Sequence, residues 1–105
     1  MKNLLRNLSI FCDGASVKLN RALALLKEIV ERCPNLYGEN FLIMIPKSPV
    51  LLGTEGYEII IRSKKRLDIE TSAILQDIVS REKLGITQRP RTTMIYNPMH
   101  YTFLK

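Results

Sequence analysis

The densest chemistry in the chain is the run Arg62-Ser63-Lys64-Lys65-Arg66, which puts four cations into five residues. Guanidinium and ammonium groups at that spacing suit phosphate oxygens, because each neutralised phosphate releases a condensed counterion and adds affinity without regard to base sequence. A helix starting just beyond the run would add backbone N–H donors at its positive end, although Asp68 and Glu70 place negative charge there first. Arg81, Lys83, Arg89 and Arg91 make a second, looser basic group. With a helix between the groups, its rise of about 1.5 Å per residue puts them on the order of 24 Å apart. On this reading they are two patches, and only an extended polyanion touches both. The candidate phosphate-binding residues are Arg62, Lys64, Lys65, Arg66, Arg89 and Arg91.

Other reactive side chains offer less. His100 is the only histidine and lies in Asn97-Pro98-Met99-His100-Tyr101, where the plain expectation is a surface side chain rather than a general base. Asp13-Gly14 is a common turn pair. Cys12 and Cys33 are the two cysteines, and with one distant histidine they cannot complete a four-ligand zinc site. Both sit among apolar neighbours, so reduced, buried thiols are expected. No phosphate-binding glycine loop, dinucleotide fingerprint, nucleophile elbow or zinc-protease motif is present. No cofactor or metal is expected, and the balance leans away from an enzyme without closing that class. Tryptophan is absent, and the tyrosines and phenylalanines do not form the adjacent-strand pair on which RNA-binding sheets stack bases.

The elements that must position these residues can be read from periodicity. Leu19, Ala22, Leu23, Leu26, Ile29, Val30 and Cys33 recur at three and four residues, tracing the apolar stripe of a helix from Ser16 to Cys33. Ser16 is a fitting N-cap, and Pro34 ends the helix. Lys27 with Glu31, and Glu28 with Arg32, stand four apart and can pair across a turn. Asp68 caps a second helix reaching to Leu84, with Thr71, Ile74, Leu75, Ile78 and Val79 inward and Gly85 marking its end.

Phe41 to Ile45 is apolar at every position, as a central strand covered on both faces would be. Tyr57 to Ile61 alternates, except that Ile60 breaks the polar face and needs a cover. Thr92 to Tyr96 is a further strand, and Tyr101 and Phe103 alternate as a short edge strand or docked tail would. Residues 1–12 fit either a helix through Leu4, Leu8 and Phe11 or a strand through Leu8, Ile10 and Cys12, with the strand favoured. Pro46 and Pro49 bar ladder pairing between strands, which leaves Val50-Leu51-Leu52 in a long loop with apolar side chains to hide.

At 105 residues the chain reads as one domain with one shared core. Its net charge of +6 is uneven: residues 62–105 hold nine basic and four acidic residues, whereas residues 1–61 hold seven and six. The start MKNLLRNLSIF makes a poor signal peptide, and no run is long enough to span a bilayer, so a cytoplasmic, reducing location without membrane attachment is expected.

The element order resembles the ferredoxin-like βαββαβ arrangement: an α+β two-layer sandwich with about four antiparallel strands and two helices on one face. If residues 1–12 are helical, the alternative is a three-stranded sheet with three helices. The leading functional expectation is a non-catalytic interaction or regulatory module that associates with itself or with another protein through Val50, Leu51, Leu52, Ile60, Tyr101 and Phe103. The alternative is a nucleic-acid-binding domain whose C-terminal basic residues contact phosphates.

Overall fold

The computed structural model describes residues 7–12, 16–45 and 58–96, and these form a mixed five-stranded sheet with two helices. In chain order the elements are β1 (Leu8–Cys12), α1 (Ser16–Arg32), a 3-10 turn (Pro34–Leu36), β2 (Asn40–Ile45), β3 (Glu58–Arg62), α2 (Ile69–Arg81), β4 (Gly85–Arg89) and β5 (Thr92–Tyr96). Across the sheet they run β1-β2-β3-β5-β4. β1 is parallel to β2, and every other neighbouring pair is antiparallel.

The α+β class holds, but the ferredoxin-like order with four antiparallel strands does not form. A split βαβ unit keeps a third strand between its two parallel ones, whereas β1 here pairs directly with β2, Leu8 opposite Phe41 through Cys12 opposite Ile45. The split unit is the second one: β3 and β4 run parallel with β5 between them. Residues 8–12 being strand also removes the three-helix alternative.

The core lies between one face of the sheet and the two helices. Ala22, Leu25, Leu26, Ile29 and Val30 of α1 and Leu75, Ile78 and Val79 of α2 meet Phe41, Ile43, Ile45, Ile59, Ile61 and Ile95. Leu26 is the fully buried centre of the expected stripe, while Leu25 enters the core and Leu19 and Leu23 stay partly exposed. Asp68 caps α2 as its sequence implies, accepting from the Thr71 N–H at 2.8 Å.

Alternation along β2 is the second correction, because the strand is not covered on both faces by any described element. Phe41, Ile43 and Ile45 are buried, but Leu42 is half-buried and Met44 is exposed. Leu42 faces the same side as Ile60 and Met94 by register, so Ile60 gains partial cover from its neighbours on adjacent strands. No described helix lies on that side.

The end of α2 differs as well. Gly85 is not the helix stop; the helix ends at Arg81, and Lys83 takes the left-handed turn at φ 58 while the Leu84 N–H donates to the Val79 carbonyl at 2.9 Å. Gly85 opens β4, a strand with no expectation behind it. A Cβ there would lie 2.5 Å from the Tyr96 ring across the ladder, so glycine lets that ring cross β4. Asp13, Val50, Leu51, Leu52, Tyr57, His100, Tyr101 and Phe103 lie outside the described residues, and so does the side chain of Cys12.

Candidate nucleic-acid interface

The strand order brings Arg89 and Arg91 to the run that the sequence already holds together at Arg62, Lys64, Lys65 and Arg66. α2 leaves the end of β3 near Arg62 and runs away from it; β4 then returns parallel to β3, so Arg89 comes level with Arg62. Both residues pair in register with Thr92, which places them on one row of one face, two strand spacings or about 10 Å apart. The opposite-ends expectation is therefore wrong for Arg89 and Arg91 and holds only for Arg81 and Lys83.

A backbone hydrogen bond joins the loop after β3 to the β4–β5 turn, and others brace the loop itself. The Ser63 N–H donates to the Arg91 carbonyl at 3.1 Å, and the Ser63 hydroxyl, itself buried, donates to the Lys65 carbonyl at 2.7 Å. The Lys64 N–H donates to Glu39 Oε1 at 3.1 Å, which brings one carboxylate to the rim. Arg66 and Arg89 border a common shallow hollow of about 260 Å³ with Ser72, Gln88 and Pro90. Gln88 is held to α2 by Ser72 and Gln76, each 3.0 Å from its Oε1.

All six candidate cations are exposed, and none takes part in an ion pair among the described residues. The contrast with Arg81 is chemical. Its guanidinium bonds both Glu28 oxygens at 2.7 Å and also Glu82, so hydrogen bonding raises its pKa further and lowers that of Glu28. Arg32 joins the same set through Glu28 at 3.8 Å and Asp77 at 3.4 Å. Arg81 thus ties α1 to α2 and is spent on structure.

The α2 N-terminus does not extend the basic cluster, because Asp68 already accepts from the Thr71 N–H and its own carboxylate occupies the donor end. The hydrogen bond from Thr71 lowers the Asp68 pKa, keeping it charged. Among the described residues no group of three His, Cys, Asp or Glu side chains could hold a metal ion, and no helix is long and apolar enough to cross a membrane. Cys33 is a free, buried thiol whose pKa burial pushes up, which is the opposite of a reactive nucleophile.

The open sheet face continues from the basic rim. In register its rows read Asn40, Arg62, Thr92 and Arg89; then Ser9, Leu42, Ile60, Met94 and Thr87; then Phe11, Met44, Glu58, Tyr96 and Gly85. Phe11, at 63% exposure, and exposed Asn40 join this face although neither is among the site residues that the sequence suggests. The alternation Leu8-Ser9-Ile10-Phe11 carried the signal for Phe11 once residues 8–12 are a strand, since it puts Phe11 on the face opposite Leu8. Compared with known proteins, the chain matches no family model, no curated protein and no solved structure.

Proposed function

We propose that this protein binds nucleic acid through phosphate contacts made by Arg62, Lys64, Lys65, Arg66, Arg89 and Arg91. The observation that carries the reading is the convergence of these six exposed cations, without ion-pair partners among the described residues, at one end of the sheet. Arg81 is answered by Glu28 and Glu82, whereas the rim cations have no carboxylate ion-pair partner among the described residues, so their summed field can act on an outside anion. A polyanion crossing the rim reaches several of these groups at once.

The test is binding of fluorescent RNA and DNA probes over a salt series, comparing wild type with an Arg62→Ala, Lys64→Ala, Lys65→Ala, Arg66→Ala variant. Ser63 is left in place to hold the loop. The log-log salt slope should fall by about 0.7 to 0.9 for each phosphate contact removed. An unchanged affinity and slope in the folded variant excludes this rim as the contact site.

A protein-interaction role is the second reading, favoured by the open face, where Phe11 and Met44 are exposed beside half-buried Leu42, Ile60 and Met94. Light scattering across a concentration series at high salt should then report an assembly larger than the monomer. A mass that stays monomeric at every concentration removes self-association.

A further inference from the structure

A hollow of about 640 Å³, within the range of small-ligand sites, lies next to the basic rim on the sheet face turned away from the helices. Leu42 and Ile60, paired across β2 and β3, give it an apolar centre. Asn40 and Arg62, the next pair along the same strands, border it at the rim end, and Asn7 and Ser9 border it from the β1 side. Phe11 stands toward the other end, four residues along the chain from Asn7, or roughly 13 Å at strand rise.

These groups fit one ligand chemistry: a flat, polar-edged ring attached to a phosphate. The Phe11 ring offers a stacking surface that tolerates any base. Asn40 carries an amide with both donor and acceptor, and among the described residues the Asn7 side chain makes one long bond, from its Nδ2 to the Gly38 carbonyl at 3.4 Å, so its Oδ1 can meet a base edge. Arg62 belongs both to the hollow and to the cation cluster, so a phosphate held by Arg62 delivers its own base toward Leu42, Ile60 and Phe11. A base stacked and paired within a duplex cannot enter such a hollow; one splayed out of a single strand can.

Resting on the nucleic-acid reading above, we infer that this hollow receives an unpaired base of a single-stranded segment whose phosphates lie on the rim. The protein is then a reader of unpaired nucleic acid, with the six cations supplying affinity and the hollow supplying the preference for single strands.

The experiment compares equal-length single-stranded and fully paired RNA probes, with the free nucleoside monophosphate as a third arm, for wild type, Phe11→Ala and Phe11→Tyr. The single strand should bind wild type more tightly than the duplex. Phe11→Ala should weaken the single strand by roughly 5- to 150-fold, the worth of one stacked base, and leave the duplex unchanged; Phe11→Tyr should restore binding. Circular dichroism and melting temperature check that the variant folds, which the exposure of Phe11 favours. Equal wild-type affinity for both probes, with a normal salt slope, overturns the hollow while leaving the basic rim intact. Loss of both probes alike in folded Phe11→Ala overturns it too. Tight, Phe11-dependent binding of the free nucleotide without single-strand preference reassigns the hollow to small nucleotides and overturns the inference. No wild-type binding to any probe at low salt overturns the nucleic-acid reading itself.

Discussion

Gly85 shows how a single residue can carry a meaning different from its commonest one. Beyond a helix, glycine usually marks the left-handed stop, yet Lys83 takes that conformation at φ 58, two positions earlier. What Gly85 supplies is the absence of a side chain opposite Tyr96, whose hydroxyl meets the Thr87 hydroxyl at 3.2 Å after the ring has crossed the strand. Gly85→Ala should therefore destabilise the fold by about 1–3 kcal/mol, as overpacking does. The loss should be much smaller when measured in a Tyr96→Ala background by denaturant unfolding, since the clash then has no partner. Additive losses in that double-mutant cycle would show that the ring is not what Gly85 accommodates.

Among the elements, the two helices are joined twice, by apolar packing and by the carboxylate–guanidinium set on their exposed edges. Packing dominates: Leu26 is fully buried, and Leu26→Ala should cost about 2–5 kcal/mol in denaturant unfolding. The polar connection shows itself through pH. The Arg81 hydrogen bonds hold the Glu28 carboxyl below its ordinary value of 4.5, so the folded state binds that proton less readily than the unfolded chain. The stability this contributes is complete above pH about 4.5 and is lost as the pH falls through the depressed folded value. Asp68 works in the same direction through its cap. A Glu28→Gln variant should give a shallower acid-side decline in melting temperature than wild type; parallel curves would mean that the Arg81 pair does not couple to folding.

For the whole molecule, the sheet separates two kinds of surface. Among the described residues, both helices and the core occupy one side of the sheet; the other carries an apolar strip beside the Arg62 and Arg89 row. Because the rim draws on the β3–α2 loop and the β4–β5 turn together, each part alone should supply only a fraction of the salt dependence. An Arg89→Ala, Arg91→Ala double variant should lower the log-log salt slope by about 1.4 to 1.8 if both contact phosphates. A slope equal to that of wild type would confine binding to the loop.

The sequence by itself determined the local elements, because local signals are carried by residues three or four apart. The α1 stripe through Leu26 and Ile29, the Asp68 cap and the strand alternation through Ile59 and Ile61 are all of this kind. It did not reveal β4: Gly85-Ile86-Thr87-Gln88-Arg89 alternates weakly, and Pro90-Arg91 is not a residue pair that announces a two-residue hairpin turn. Without β4 the sheet counts four strands, and Arg89 and Arg91 fall at the far end of α2 from Arg62 instead of level with it. Only the tertiary structure decided that β1 would sit beside β2, that no described helix would cover the second face of β2, and that Arg89 and Arg91 would join the cations of the 62–66 run at one rim. Those outcomes depend on which strands hydrogen-bond to which, and strand pairing joins residues distant in sequence whose side chains carry no mark of their neighbours.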